Sequence, residues 1–295
     1  MTALELPGAL VTAEWLQGHL DEVIVLDATI VRTPNDAGKT QFADGSGEFA
    51  EEHIAGALFA DVFDAFSDAS APFLFTRPSA EHLQATMRAL GVDTTSTVVV
   101  YDRLSTAWAA RIWWVLRSFG FTRVAVLDGG LRSWKDAGGP TESGPGRTPE
   151  TPGTFEAFEL DGFFVDIERM KLIATGVDTT PTLAGVRHAE FTGEGGGDRP
   201  GHIPNTRSLP FPDLLDDDGL ISVAKTRLAL DAHDLGAEPE TILYCGGAIN
   251  ASGLALALTV AGQTGLTIYD GSLNEWKADP ALPLVTGDDE RAAAE

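Results

Sequence analysis

The chain reads as an α/β protein made of two copies of one parallel-sheet domain, and three observations carry that reading. Short apolar, β-branched runs alternate with stretches of helical periodicity. The order of motifs in the first half returns in the second. The length of 295 residues, at roughly 150 residues per domain, suggests two domains.

The elements follow in order. Val23-Ile24-Val25-Leu26, Val98-Val99-Val100 and Val124-Ala125-Val126-Leu127 are continuous apolar runs, the pattern of strands buried on both faces of a parallel sheet. Between the last two, Ala107 to Phe119 places Ile112, Val115, Leu116 and Phe119 on one helical face, and Gly120 stops the helix. The second half repeats this with a strand at Thr241–Tyr244, a helix at Asn250–Val260, Gly262 as the stop and a strand at Leu266–Tyr269. Strand, helix and strand at these lengths predict parallel sheets with right-handed crossovers.

The repeat extends to the motifs. His53-Ile54-Ala55-Gly56-Ala57 matches His202-Ile203-Pro204-Asn205-Thr206, and Tyr101-Asp102 matches Tyr244-Cys245. Leu127-Asp128-Gly129-Gly130-Leu131 matches Tyr269-Asp270-Gly271-Ser272-Leu273. Asp102 precedes Asp128 by about 26 residues and Cys245 precedes Asp270 by about 25, the size of a crossover unit. Residues 138–153 are rich in Gly, Pro, Ser and Thr, a linker composition. The expected division is therefore a first domain over 1–139, a linker over 140–153 and a second domain over 154–295. His53 and His202, each before an Ile, read as turn residues held by a hydrogen bond. Trp113, Trp114, Trp134 and Trp276 read as packing.

Lys and Arg total 20 against 44 Asp and Glu, a formal net charge of −24. Such a surface repels phosphate backbones and anionic lipid, so neither nucleic acid nor a membrane is an expected partner. No apolar run approaches the roughly 18–20 residues that span a bilayer. Met1 to Leu10 carries Glu5 and no basic cluster, so no signal peptide is expected. The single cysteine, Cys245, excludes an intramolecular disulfide framework and any multi-cysteine metal site, and suits a reducing cytoplasm. Only five residues are Lys; the spread of acids speaks to solubility in salt.

Cys245 is the candidate for chemistry. It follows a buried strand and precedes Gly246-Gly247-Ala248-Ile249 and a helix, the place where ligands bind in open α/β sheets. Paired glycines let the backbone curl and aim N–H groups at one point, and the helix adds the positive end of its dipole. Both favour a thiolate, so the loop predicts an anionic, nucleophilic sulfur. A cysteine phosphatase loop needs Arg six positions on, where Ala251 stands; disulfide exchange needs a second cysteine; a papain-like mechanism needs a His partner, and none lies nearby in sequence, while the distant His53, His188, His202 and His233 are not placed by sequence alone. What remains is sulfur as nucleophile and carrier, held as a persulfide and passed on.

These motifs, in order and in duplicate, resemble the tandem-domain rhodanese family of thiosulfate and 3-mercaptopyruvate sulfurtransferases, over nearly the whole chain. The markers are His53-Ile54-Ala55-Gly56-Ala57, Ala110-Arg111-Ile112-Trp113-Trp114, Leu127-Asp128-Gly129-Gly130-Leu131, Gly201-His202-Ile203-Pro204, Tyr244-Cys245-Gly246-Gly247 and Tyr269-Asp270-Gly271-Ser272. The resemblance implies two tandem rhodanese-like domains, each a parallel sheet flanked by helices, with the first inactive because Asp102 holds the cysteine position. It assigns persulfide formation to Cys245 and the cradling of the outer sulfur to Gly246, Gly247, Ala248, Ile249 and Asn250. Arg187 matches the Arg of the family's Asp-x-Arg element and would attract an anionic donor, with Arg199 as a second candidate cation.

The sequence departs from the family pattern in several places. Gly185 stands where the family has Asp, Glu190 where a second Arg is expected, and residues 71–77 lack the His of mercaptopyruvate enzymes. The active loop carries neither the basic residues of thiosulfate enzymes nor the Ser of mercaptopyruvate enzymes. The expected function is transfer of a sulfane sulfur from thiosulfate to cyanide or a thiol, a protein thiol included, through a persulfide on Cys245. The alternatives are a 3-mercaptopyruvate sulfurtransferase and a non-catalytic persulfide carrier. No metal and no organic cofactor is implied.

Overall fold

A computed structural model describes residues 4–34, 40–195, 197–235 and 240–288. The chain divides into two compact units, Met1–Leu160 and Asp161–Glu295.

In the first unit the strands are β1 (Leu10–Val11), β2 (Ile24–Asp27), β3 (Ile30–Pro34), β4 (Thr40–Asp44), β5 (His53–Ile54), β6 (Leu58–Phe59), β7 (Val98–Tyr101), β8 (Val124–Leu127) and β9 (Thr141–Glu142). Its helices are α1 (Ala13–His19), α2 (Ser46–Glu51), α3 (Ala80–Ala89), α4 (Ala107–Ser118) and α5 (Gly130–Asp136). A five-stranded sheet runs β1-β8-β7-β2-β6, parallel throughout. The second unit has strands β10 (Phe164–Val165), β11 (Thr182–Ala184), β12 (Arg207–Ser208), β13 (Thr241–Tyr244) and β14 (Leu266–Tyr269). Its helices are α6 (Ile167–Ala174), α7 (His188–Phe191), α8 (Val223–Ala232), α9 (Ile249–Val260) and α10 (Ser272–Ala278). Its sheet, β10-β14-β13-β11-β12, is again five-stranded and parallel. The two orders correspond strand for strand, as the sequence repeat requires. The antiparallel β3–β4 ribbon of the first unit has no counterpart among the described residues of the second.

The central strands β7, β8, β13 and β14 are buried at every position, which is why they read as unbroken apolar runs. Helix α9 is also buried along most of its length, so it shows little amphipathic contrast. Trp113, Trp134 and Trp276 are fully buried and Trp114 nearly so. His53 and His202 are buried, with Nδ1 2.7 Å and 2.8 Å from the carbonyls of Phe49 and Phe191. Each ring stacks on the phenylalanine that supplies the carbonyl.

The division between units falls after Leu160, later than the linker expected at 140–153. That stretch has linker composition but is strapped to the first unit. The carbonyl of Pro140 accepts from Trp134 Nε1 at 2.9 Å, β9 pairs with β5, and Glu142 accepts from the Gly56 N–H. Farther on, the Gly153 N–H donates to Arg88 at 2.8 Å and Phe155 is fully buried. Composition reports how easily a segment bends; it does not report the partners that its backbone finds.

Candidate active site

Cys245 sits at the carboxyl end of β13, the middle strand of the second sheet, between β14 and β11. The chain then turns through Gly246, Gly247 and Ala248 into α9, with Ala248 in the left-handed region at φ 63°. Cys245 is 3% exposed. Four backbone N–H groups face it, those of Ala251, Gly247, Asn250 and Gly246. Burial pushes the thiol above its ordinary pKa, and these four N–H groups pull in the opposite direction without reversing it. The thiolate expected from the loop alone is thus corrected: in the unloaded protein, desolvation outweighs the cradle.

The cradle differs in detail from the five residues expected. The N–H of Ala251 joins it. The N–H of Ala248 instead donates to Ser272 Oγ at 3.2 Å, as does that of Cys245 itself. Ile249 is largely buried and opens the helix. The hydroxyl of Ser272 donates to the Tyr269 carbonyl at 2.8 Å. Behind the strand end, Tyr244 is fully buried, with its hydroxyl 2.8 Å from Thr206 Oγ1 and accepting the Ile203 N–H. Sequence reasoning did not find Ser272. The one signal was the break in the repeat, where Gly271-Ser272 answers Gly129-Gly130.

The first unit shows the same turn with another occupant. Asp102 follows β7, and its carboxylate is enclosed by N–H groups. Oδ1 accepts from Leu104, Ser105 and Thr106 at 2.8, 3.0 and 3.1 Å. Oδ2 accepts from Trp108 and Ala109 at 3.1 and 3.0 Å. Counted from the start of the following helix, Trp108 and Ala109 correspond to Asn250 and Ala251. The turn therefore binds a negative charge in one unit and surrounds a thiol in the other.

The two candidate cations have different surroundings. Arg187 lies on the segment leaving β11, whose Ala184 is in register with Tyr244. Its side chain is 67% exposed and meets Glu190 at 2.5 Å, and this contact raises its pKa. Arg199 donates to the carbonyls of Trp276, Lys277, Asp279 and Leu282. It gathers the end of α10 and the segment beyond, so its guanidinium is committed to the scaffold. At Gly185 a side chain would meet only ordinary contacts, the nearest being the Tyr244 carbonyl and the backbone of Asn250 and Ala251. A Cβ at this position would therefore fit in contact with the cradle backbone without a clash. Among the described residues no group of three His, Cys, Asp or Glu side chains is placed to hold a metal ion, and no helix is long and apolar enough to cross a membrane.

The rhodanese-like domain model matches residues 12–137 and again 181–279. The 3-mercaptopyruvate sulfurtransferase of Homo sapiens is 31% identical over 298 residues, covering 94% of each chain. A putative thiosulfate sulfurtransferase of Mycobacterium tuberculosis is 33% identical over 290 residues, covering 94% of this chain and 97% of that one. Among solved structures, the 3-mercaptopyruvate sulfotransferase SseA of Escherichia coli superposes with a TM-score of 0.77 at 27% identity, covering 90% of this chain and 98% of that one.

Proposed function

The chain belongs to the rhodanese-like family as two tandem copies, and from that premise we propose that it is a sulfurtransferase that carries sulfur on Cys245. The observation that carries this reading is the convergence of four backbone N–H groups on a buried thiol at the end of the middle strand.

The Cys245 thiolate attacks the outer sulfur of thiosulfate. The Sγ–S bond forms, the S–S bond to the sulfonate breaks, and its electron pair leaves with sulfite. The outer sulfur now bears the charge, within reach of donors fixed before the reaction begins. An acceptor, cyanide or a thiol, attacks that sulfur, and Cys245 leaves with the electron pair of the Sγ–S bond. This is double displacement through a covalent intermediate. Because burial raises the thiol pKa, the first step accelerates as pH rises toward the alkaline range. Arg187 is the side chain proposed to meet the donor anion; Arg199 is not, since its donors already have carbonyl partners.

Thiosulfate is the proposed donor on chemical grounds. Sulfite leaves as a stable anion, and Gly246, Gly247, Ala248, Ile249 and Asn250 offer no acid to protonate a poorer leaving group. A second reading, 3-mercaptopyruvate as donor, is favoured by the activity named for the human relative. There C–S cleavage leaves an enolate that must be protonated. The proposed setting is the cytoplasm, with a small or protein-bound thiol as the acceptor.

The test is intact mass. Incubated with thiosulfate, the protein gains about 32 Da, one sulfur atom held as a persulfide. Cyanide removes the gain, and Cys245→Ser never shows it. Gain with 3-mercaptopyruvate alone replaces the donor. Gain without repeated turnover to cyanide or small thiols makes the protein a carrier. No gain with either donor overturns the reading.

A further inference from the structure

The turn after Cys245 holds more N–H groups than the sulfur uses. Gly246, Gly247, Asn250 and Ala251 direct theirs at the sulfur. The N–H groups of Cys245 and Ala248 both donate to a single oxygen, Ser272 Oγ, at 3.2 Å each. That hydroxyl is in turn fixed by donating to Tyr269 at 2.8 Å. Ser272 is fully buried and lies at φ 50°, a region that residues with a Cβ enter only at a cost.

The corresponding residue of the first unit is Gly130, at φ 57°. A Cβ there would lie 1.9 Å from the Asp102 carbonyl oxygen. The turn that carries its own carboxylate therefore excludes a side chain at this position. Five N–H bonds to Asp102 organise that turn from within. The turn around Cys245 encloses a neutral, weakly accepting thiol until sulfur is loaded. Its shape is set from behind, by a strained serine. Buried strain of this kind persists only where the surrounding structure over-determines it.

We propose that Ser272 is a positioning residue for sulfur transfer. Its hydroxyl ties back the Cys245 and Ala248 N–H groups so that the other four converge on the sulfur. The proposal rests on Cys245 as the sulfur carrier. Its physical content is preorganisation: donors held in place before charge develops do not have to reorganise when it arrives.

Two substitutions test it. Ser272→Ala keeps the Cβ and removes the acceptor. Ser272→Gly removes the acceptor and also the backbone strain, as in the first unit. Three quantities are read in the full chain: the pH midpoint of Cys245 alkylation by iodoacetamide, the lifetime of the persulfide by intact mass, and kcat and KM for thiosulfate. Both variants are expected to move the alkylation midpoint up by about one unit, a tenfold loss of thiolate at a given pH. The persulfide decays at least about tenfold faster, and kcat falls while KM changes less than about twofold. An unchanged midpoint and lifetime with only a shifted Tm makes Ser272 purely structural and overturns the proposal. A wild-type-like Ser272→Gly beside an impaired Ser272→Ala overturns it as well, because strain and not the acceptor would then be responsible. Should Ser272→Ala fail to fold, the relaxed glycine variant carries the test. If the wild type never gains sulfur, the reading of Cys245 fails, while the alkylation midpoint still decides whether Ser272 shapes the cradle.

Discussion

At Cys245 two effects of opposite sign meet on one atom. Removal from water disfavours the thiolate, and four N–H dipoles favour it; the first is the larger. The sequence displayed only the second. Paired glycines before a helix can be seen in the letters, whereas the depth of the thiol depends on β11, β14 and α9 closing around it. Arg187 shows the same division. Its position after a strand was readable, but its contact with Glu190 follows from α7 bringing residues three apart onto one side. If Arg187 meets the donor as proposed, Glu190 competes with the incoming anion. Glu190→Gln is expected to lower KM for thiosulfate about two- to fivefold with kcat little changed, and Arg187→Ala to raise KM, since an exposed charge acts mainly on encounter and weak binding. Steady-state kinetics at low ionic strength checks both. Unchanged KM in both variants would remove Arg187 from the donor site.

At the scale of elements, the buried strands were legible because parallel sheets leave no polar alternation to confuse their length. Val98, Val124, Thr241 and Leu266 all begin strands where the apolar runs begin. Helix α9 starts one residue before the expected Asn250, because Ala248 takes the left-handed cap and frees Ile249 to enter the helix. Over 140–153, Pro, Gly and Thr signal irregular backbone, and irregular backbone can still be pinned. Packing between elements was not legible at all. On α9, Gly253 faces Phe211, and a Cβ there would lie 2.8 Å from the ring of this buried side chain. Helix propensity alone favours alanine over glycine by about 1 kcal/mol. Overpacking costs about 1–3 kcal/mol. Gly253→Ala is therefore expected to lower Tm by a few degrees in thermal unfolding; a raised Tm would show that Phe211 moves aside without cost.

For the whole molecule the dominant quantity is a formal net charge of −24. The proposed donor, thiosulfate, carries two negative charges and would approach against this field, so screening would assist it. The value of kcat/KM for thiosulfate is expected to rise as salt increases from about 0.01 M to about 0.15 M, where the Debye length falls from about 30 Å to about 8 Å. Activity then persists in molar salt. A decline from the lowest salt upward would mean that local cations such as Arg187 outweigh the global field. Charge, unlike packing, could be read from the letters in full, since it depends only on what is present.

The turn closed around Asp102 gives the molecule an internal standard. Both turns belong to one chain and experience the same temperature, buffer and reductant; in the proposed reaction only the one holding Cys245 has an occupant that comes and goes. The amide protons of Leu104, Ser105, Thr106, Trp108 and Ala109 always face a resident carboxylate. Those of Gly246, Gly247, Asn250 and Ala251 face whatever the sulfur has become. Occupancy of the sulfur site is therefore encoded as a ratio of two sets of signals in a single spectrum, independent of how much protein is in the tube.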